Sequence, residues 1–320
     1  MQRLLALIFT MQVVWGAPRA QFIRVDTNVE LEVLDWGGQG RPIILLAGYL
    51  TAHAYDPLAE KLLGLGHVYG ITRRGLGASS RTETGFEATR SARDVIEVLD
   101  ALKLTQKPVL AGHSFGGQDI GVIAATYPDR IAGIVYLNSV EDPTLKASDY
   151  GVDSPDAKLL PASMRAPNPP DLSSIEAYQK WQRQTHGIAF PESEIRQLYE
   201  IRSDGSLGKY QVPRATNQGL FKGLIQPDYA SIKVPVLAFF AGLPTLADQT
   251  RKHNPQTPQE RFALEQKIAF DQAIQNRHRQ DLVRGVPSAR IVVIPGANFY
   301  IFLSSVPEIV GEMKLFFARL

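Results

Sequence analysis

The amino-acid sequence predicts an α/β protein with a mostly parallel central sheet, helices on both faces of that sheet and one long inserted segment. Short apolar runs alternate with helical patterns along most of the chain, and each run is hydrophobic at nearly every position. Continuous hydrophobicity is typical of parallel strands that are covered on both faces. The predicted strands lie at residues 43–47, 68–72, 109–112, 131–137, 234–241 and 291–294.

Helices and one hairpin complete this pattern. Apolar residues recur at helical spacing over 88–102, between the second and third predicted strands. Residues 257–260 and 305–308 fit the capping-box pattern with a proline in the first turn, and each therefore predicts the start of a helix. Residues 22–36 predict an antiparallel hairpin at the edge of the sheet.

The amino-acid composition excludes several kinds of functional site. The 320 residues include no cysteine, which excludes disulfides, thiolate metal sites and a cysteine nucleophile. A net charge of +2, with 44% hydrophobic and 21% charged residues, gives no nucleic-acid-binding signature. The histidines are scattered without the spacing of a metal site, so we expect neither a metal nor a cofactor. They are His53, His67, His113, His186, His253 and His278.

The first residues have the pattern of a secretory signal. Arg3 precedes an apolar run that extends to Val14 and is too short to span a bilayer. A cut after Gly16 would make residues 1–16 a signal peptide and the protein secreted or periplasmic. The alternative is a buried N-terminal strand or helix. No later segment approaches about 18 consecutive apolar residues, so no membrane span is expected.

Two stretches interrupt the alternation of strands and helices. Residues 143–231 are rich in proline and polar residues and are too long for an ordinary loop, so we interpret them as an inserted lid. The predicted core then comprises residues 21–142 and 232–320. Within it, residues 243–287 form mostly one long helix with a polar face, preceded by a loop.

The clearest motif is a strand that runs directly into a turn and a helix. Residues 112–116 read Gly-His-Ser-Phe-Gly, the Gly-x-Ser-x-Gly pattern of a nucleophile elbow. The flanking glycines let the backbone turn sharply and raise the Ser114 hydroxyl above the carboxyl edge of the sheet. Ser114 is therefore the candidate nucleophile, and the alternative is a glycine-rich turn with an incidental serine.

Two backbone amides are candidates for an oxyanion hole. The first is the N–H of Phe115, directly after the nucleophile, and the second comes from the loop after strand 43–47. In that loop Gly48 permits the turn and Tyr49 offers its amide. Gly48 and His53 are also expected to line the entrance of the pocket.

These motifs resemble the α/β-hydrolase fold family over essentially the whole mature sequence. A group of uncharacterised bacterial α/β-hydrolases is similar at residues 51–53, 68–75, 112–114 and 286–290. The resemblance implies that Ser114 is the nucleophile, that Tyr49 and Phe115 line the oxyanion hole and that 143–231 is the lid. It gives Arg74 and the glycines after it a mainly structural role. A serine nucleophile argues against the dehalogenases and epoxide hydrolases of this fold, which use aspartate.

The position of the catalytic base departs from this pattern. In the chain order Ser…acid…His the base follows the last strand, and in the resembling group a histidine occupies the position of Phe299. Phenylalanine has no titratable group. We expect His113 to point away from Ser114 into the sheet, which leaves His53 as the best replacement. His67 would lie at the wrong edge of the sheet, and we interpret the others as solvated: His186, His253 and His278.

The acid is open between two positions. The strand ending at Ala241 is followed by no carboxylate until Asp248. After the strand ending at Leu137, Asn138 stands where the resembling group tends to carry aspartate, and Asp142 is the next carboxylate within reach, ahead of Glu141. We take Asp142 as the candidate acid.

The sequence thus predicts an impaired serine hydrolase that acts on a small ester, lactone or amide. Loss of a triad base costs on the order of 10⁶ in turnover, whereas the oxyanion hole and binding retain about 10³–10⁴ over water. Three explanations are compatible with phenylalanine at position 299. The protein has lost its base naturally, or the chain is an inactivated form of an active enzyme, or a histidine elsewhere in the chain replaces the base. The alternative function is that of a non-catalytic protein binding a small ligand in the same pocket. In either case the partner is a small molecule and not a nucleic acid.

Overall fold

The computed structural model describes residues 17–165 and 169–320. The predicted signal peptide, residues 1–16, lies outside the described residues and stays a prediction. The strands are β1 (Arg19–Asp26), β2 (Val29–Gly37), β3 (Pro42–Leu46), β4 (His67–Ile71), β5 (Val109–Gly112), β6 (Gly133–Leu137), β7 (Tyr199–Ile201), β8 (Leu207–Tyr210), β9 (Val236–Ala241) and β10 (Arg290–Ile294).

Helices account for most of the remaining regular structure. They are α1 (Asp56–Leu62), α2 (Ala88–Leu102), α3 (Phe115–Thr126), α4 (Ala162–Arg165), α5 (Ile175–His186), α6 (Glu192–Leu198), α7 (Arg214–Lys222), α8 (Leu246–His253), α9 (Pro258–Gly285), α10 (Ile301–Ser304) and α11 (Val306–Phe317). The predicted helix over 88–102 is α2, and the long polar helix after β9 is α9.

The central sheet has eight strands in the order β1-β2-β4-β3-β5-β6-β9-β10. Six of these strands form a continuous parallel sheet, in the order β4-β3-β5-β6-β9-β10. At the edge of the sheet, β1 pairs antiparallel with β2. Each of the six predicted strands overlaps one of these parallel strands, and the predicted hairpin is β1 with β2. The predicted fold class, a mostly parallel sheet flanked by helices, is confirmed.

The two faces of the sheet carry separate hydrophobic layers. On β3, Ile43 packs with α1 and α11 on one face, whereas Ile44 packs with α2 and α3 on the other. Both side chains are fully buried. This explains the unbroken apolar runs, because alternate residues enter different cores and each buried aliphatic side chain contributes about 1.5–3 kcal/mol.

The chain leaves the central sheet between β6 and β9. This excursion contains α4 to α7, and β7 and β8 pair in a separate two-stranded antiparallel sheet. The region corresponds to residues 143–231, and its division from the core at those residues stays a prediction.

Buried ion pairs fix the loop after β4. Arg74 donates from Nε and Nη2 to the Asp94 carboxylate on α2, each at 2.7 Å. Arg73 pairs with Asp119 on α3, and all four side chains are buried. Burial raises the pKa of Asp94, although the guanidinium groups of Arg74 and Arg90 oppose that rise. These contacts are structural, because they join the loop to two helices packed on one face of the sheet.

Candidate active site

Ser114 occupies a strained turn between β5 and α3. Its backbone has φ +53° and ψ −127°, a region that residues with side chains rarely adopt. A Cβ on Gly112 would collide with the Gly116 carbonyl, and a Cβ on Gly116 with the Leu46 carbonyl, so the turn needs both glycines. The local geometry is that of a nucleophile elbow at the carboxyl edge of the sheet.

The loop after β3 lies against this turn. A Cβ on Gly48 would stand 2.6 Å from the Phe115 nitrogen and 2.7 Å from the Ser114 Cβ. Within residues 17–165 and 169–320, the amides of Tyr49 and Phe115 donate no backbone hydrogen bond. Two unsatisfied N–H groups beside a serine at a helix N-terminus are what an oxyanion hole requires.

Gly48→Ala is expected to lower kcat/KM for p-nitrophenyl acetate about 100-fold, because the methyl group would push the Tyr49 loop away from the elbow. The matched control is Gly64→Ala, since a Cβ there meets nothing within 4 Å. Ester hydrolysis by the two purified variants checks this. Equal rates would show that the loop does not take part.

Helix α7 of the excursion packs beside Tyr49 and Phe115. The ring of Phe221 on α7 meets the Phe115 ring edge-on, with centroids 5.2 Å apart. Phe86, Phe115 and Leu220 form a small buried cluster against which Tyr49 packs. The excursion therefore covers one side of the candidate oxyanion loop.

Phe299 leaves Ser114 without a titratable partner. The Phe299 side chain is 52% exposed, and its backbone carbonyl accepts hydrogen bonds from His113 Nε2 at 3.1 Å and Asn138 Nδ2 at 3.3 Å. Among the described residues, no side chain hydrogen bonds to the Ser114 hydroxyl. Hydrogen bonds to the Phe299 backbone thus hold the loop after β10 in place, while the Phe299 side chain at the base position cannot accept a proton.

His113 is a packing residue beneath the elbow. It is 2% exposed, and burial lowers its pKa to about 4, against the smaller opposite effect of its bond to the Phe299 carbonyl. Its ring packs edge-on against Phe302 at 4.9 Å. A neutral imidazole that donates to a carbonyl and contacts aromatic rings stabilises the loop instead of accepting a proton from Ser114.

His53 lines a different cavity. Its Nε2 lies 3.2 Å from Glu32 Oε1, and it shares a cavity of about 410 Å³ with Trp36 and Asp56. Burial alone would lower the His53 pKa, but the hydrogen bond and charge of Glu32 outweigh it and raise the pKa. Ser114 does not line this cavity. A role for His53 as replacement base stays a prediction that no contact with Ser114 supports.

The other histidines have structural partners. His67, at the start of β4, bonds to Asp35 at 2.7 Å. The expectation that His278 is solvated is wrong, because α9 buries it with Nε2 3.2 Å from the Tyr150 hydroxyl. His186 packs edge-on against Trp181, and His253 Nδ1 lies 3.0 Å from the Ser163 hydroxyl.

The candidate acid, Asp142, makes its side-chain hydrogen bonds within its own loop. The Asp142 carboxylate accepts from the Thr144 amide at 2.9 Å and the Thr144 hydroxyl at 2.6 Å. The later alternative, Asp248, caps the start of α8 with Thr245. No hydrogen bond joins either carboxylate to Phe299 within the described part of the chain. A catalytic role for Asp142 stays a prediction.

Asn138 instead connects three elements at the carboxyl edge of the sheet. Its Oδ1 accepts from the Ala241 amide at 2.9 Å, while its Nδ2 donates to Phe299. Its φ of +56° is one that Asn and Asp tolerate better than other residues with side chains. The residue after β6 therefore lies next to Phe299.

The sequence analysis missed Glu194, a fully buried carboxyl on α6. It accepts from the Thr51 amide at 3.1 Å and also bonds to the Thr51 hydroxyl. Burial raises the pKa of Glu194 to about 8, although the Thr51 bonds oppose this. Glu194 joins the excursion to the Tyr49 loop. Glu194 is one of two glutamates in a short helix, and the sequence gave no signal that it contacts Thr51.

Glu194→Gln is expected to flatten the dependence of stability on pH. A carboxyl with pKa near 8 folded and near its ordinary 4.5 unfolded binds more protons when folded, so stability falls as pH rises from about 4.5 to about 8. Glutamine keeps both contacts to Thr51 without titrating. Urea unfolding at several pH values checks this, and identical profiles for the two proteins would contradict it.

The described residues contain no cluster of three or more His, Cys, Asp or Glu side chains that could hold a metal. Over the same residues, no helix is both long and apolar enough to cross a membrane.

Comparison with known proteins identifies the family. The sequence model of the alpha/beta hydrolase family matches residues 43–309, which is most of the chain and includes the elbow and the loop after β10. The chain belongs to the alpha/beta hydrolase family. Its sheet order and the strand–turn–helix at Ser114 agree with that membership.

Relatives of this alpha/beta hydrolase share part of its length. A 2-(acetamidomethylene)succinate hydrolase from Mesorhizobium japonicum is 28% identical over 158 residues, 48% of this chain and 53% of the relative. A putative carbamate hydrolase RutD from Caulobacter segnis is 32% identical over 116 residues, 35% and 43% of the two chains. The matches thus span about half the length of these curated relatives.

Solved structures share the fold over nearly the whole chain. The crystal structure of E-2-(acetamidomethylene)succinate hydrolase superposes with a TM-score of 0.67 at 19% identity, covering 94% of this chain and 99% of that one. Est816, an N-acyl homoserine lactone degrading enzyme, gives a TM-score of 0.56 at 19% identity over 92% and 100%. At these identities the likeness establishes the architecture alone.

Proposed function

We propose that the protein is a serine hydrolase for a small ester, lactone or amide, working slowly because Phe299 stands where the base is needed. The observation that carries this is Ser114, held in the strained elbow beside the free amides of Tyr49 and Phe115. Backbone strain of this kind persists where surrounding structure enforces it, typically at active sites.

The reaction follows from this geometry. Ser114 Oγ attacks the substrate carbonyl, and the amides of Tyr49 and Phe115 hold the negative charge that forms on the carbonyl oxygen. The hydroxyl proton passes to water, because the Phe299 side chain cannot accept it. The intermediate expels the leaving oxygen or nitrogen, which takes a proton from water to become the alcohol or amine, and an acyl-serine remains. A second water attacks this acyl group, which releases the acid and restores the Ser114 hydroxyl. Without a base, about 10³–10⁴ over the uncatalysed rate remains.

The relatives support this substrate class. Two of their names describe hydrolysis, of 2-(acetamidomethylene)succinate and of a carbamate, and the third describes degradation of an N-acyl homoserine lactone. Each of these is a carbonyl compound in which attack by a nucleophile releases a nitrogen or oxygen leaving group, the chemistry that Ser114 is proposed to perform.

Labelling with a fluorophosphonate tests the proposal. We expect slow modification of Ser114 in the wild type, none in Ser114→Ala, and faster modification in Phe299→His, with the site read by peptide mass spectrometry. Rapid stoichiometric labelling of the wild type would contradict the impairment. Absence of labelling and of p-nitrophenyl ester hydrolysis in all three proteins would contradict the proposal that the protein is an enzyme.

The second candidate is a protein that binds a small ligand without converting it. The observation that favours it is that Asn138 and His113 both bond to the Phe299 backbone, so the triad positions form a stable structural unit with no base. Failure of Phe299→His to restore either labelling or hydrolysis would favour this function.

A further inference from the structure

The loop after β3 carries the Tyr49 amide and is held on both sides of it. Before Tyr49, a Cβ on Gly48 would collide with the elbow backbone, so the loop and the elbow are in close contact. After it, Thr51 is 1% exposed, and its amide has no backbone acceptor in the described part of the chain. The next amide, that of Ala52, donates to the Thr72 hydroxyl directly after β4, at 3.0 Å. The partner of Thr51 therefore helps to decide where the Tyr49 amide lies.

Glu194 on α6 is that partner. Its fully buried carboxyl accepts from the Thr51 amide at 3.1 Å and also bonds to the Thr51 hydroxyl. Gln197, three residues further along the same face of α6, lies beside the same threonine. A Cβ on Gly77 would stand 2.7 Å from Thr51 Cγ2 and 3.2 Å from Gln197 Oε1. Thr51 is thus enclosed between one face of α6 and the loop after β4.

The polar groups of Thr51 explain why a carboxyl side chain holds it. The residue presents a backbone N–H and a hydroxyl, and a carboxyl group has two oxygens on one carbon that bond to both. A buried donor left without an acceptor is unfavourable, so we expect the loop and α6 to move as one unit. The contact joins residues 143 positions apart and links the excursion to the backbone that carries the candidate oxyanion amide.

We propose that Glu194 is a positioning residue, which fixes the Tyr49 amide in the oxyanion hole by holding Thr51. This role rests on the proposed hydrolase function. Its consequence is that α6 of the excursion completes the active site, because the loop keeps its place only while α6 is docked on it. A displacement of about 1 Å in a catalytic group can cost about 10²-fold in rate, so loss of the contact slows the chemical step more than it weakens binding.

Two substitutions of similar size separate positioning from packing. Glu194→Gln keeps an acceptor for the Thr51 amide and a donor for its hydroxyl, whereas Glu194→Met fills the same space and keeps neither. At about pH 6.5 the carboxyl is mostly neutral, because burial raises the pKa of Glu194 to about 8, and glutamine then copies it closely. The matched control is Glu192→Met on the same helix, since Glu192 is exposed and pairs with Arg196 at the surface.

The rate at which a fluorophosphonate modifies Ser114 reports on the oxyanion hole. As the serine oxygen attacks phosphorus and fluoride leaves, negative charge develops on the phosphoryl oxygen, where the amides of the hole act. We expect Glu194→Met to lower the inactivation rate constant kinact about 10- to 100-fold and to leave the inhibition constant KI within about twofold of the wild type. Glu194→Gln should keep at least about half of the wild-type kinact, and Glu192→Met should match the wild type.

Hydrogen exchange at the Ala52 amide tests the same contact without chemistry at Ser114. The bond of this amide to Thr72 is intact in every variant, so its exchange, read by NMR, reports movement of the loop as a whole. We expect exchange about tenfold faster in Glu194→Met and unchanged in Glu194→Gln. Thermal unfolding confirms that each variant is folded. If Glu194→Met does not fold, Thr51→Val removes the hydroxyl contact alone, with an expected loss in kinact of about threefold.

The outcomes separate this role from the proposed function. If the wild type is labelled while Glu194→Gln and Glu194→Met have equal kinact, the positioning role is wrong and the hydrolase proposal stands. A change confined to KI would also overturn the role, because Glu194 would then act on binding alone. If no protein is labelled, the hydrolase proposal fails and the assignment to an oxyanion hole fails with it. Equal Ala52 exchange in all variants would show that Glu194 does not hold the loop.

Discussion

Phe299→His is expected to raise ester hydrolysis by about 100-fold, and Asn138→Asp in the same chain by a further factor of about 10⁴. An imidazole without its acid recovers only a small part of the triad effect, because the tautomer and orientation of the ring are not fixed and its charged form is not stabilised. Neither residue now supplies a titratable group at the carboxyl edge of the sheet.

The Asn138 contacts explain why position 138 is chosen for the acid. Its side chain already reaches the backbone of residue 299, at 3.3 Å, and its other terminal atom is fixed by the Ala241 amide. An aspartate keeps the contact with Ala241 and tolerates the positive φ. Its second oxygen cannot donate to the residue 299 carbonyl as Asn138 Nδ2 does, and would instead accept from the N–H of an imidazole at position 299.

Two controls accompany this prediction, with kcat/KM for p-nitrophenyl acetate as the readout. Ser114→Ala in the double variant should remove the gain, and Asp142→Asn should leave it. If Asp142→Asn abolishes the gain of Phe299→His and Asn138→Asp adds nothing, Asp142 is the acid and the inference from the Asn138 contacts is wrong.

Asp94→Ala is expected to destabilise the protein by about 3 kcal/mol. Asp94 accepts two bonds from Arg74 and one from Arg90, all at 2.7 Å, and is itself buried. Its removal leaves the buried Arg74 guanidinium without its principal partner, which typically costs 3–5 kcal/mol. We expect the lower end of that range because Asp26 remains 3.9 Å from Arg74. Urea unfolding measures the change.

Asp100→Ala on the same helix is the matched control. Asp100 pairs with Arg130, but both side chains are about half exposed, so removal should cost less than about 1 kcal/mol. Equal losses for the two variants would mean that helix α2, and not the buried pair, sets the stability. An unchanged free energy of unfolding for Asp94→Ala would contradict the structural role of Arg74.

The hydrophobic pattern was sufficient for the fold because it reports burial directly. The run at β3 is apolar at every position since Ile43 and Ile44 enter opposite cores, and the same holds along the parallel strands. The burial of His278 was not predicted, since it depends on how α9 packs against Tyr150, a residue 128 positions earlier in the chain.

The features of the candidate site also divide into those that local sequence indicates and those that only the structure shows. The elbow at Ser114 and the amide loop at Gly48 are local motifs, and Phe299 follows from chain order, so the sequence could indicate all three. The partners of Asn138 and the contact of Glu194 with Thr51 each depend on elements far apart in the chain. No local pattern encodes such contacts.

The sequence by itself determined the α/β sheet, the strand–turn–helix that carries Ser114 and the lack of a base at position 299, because each depends on residue type and local spacing. Only the tertiary structure decided which side chains meet at the carboxyl edge of the sheet. It placed Asn138 beside Phe299, turned Asp142 to Thr144, and directed His53 to Glu32. The physical reason is that these contacts depend on the packing of strands and loops distant in sequence, where a single residue's position decides which hydrogen bonds can form.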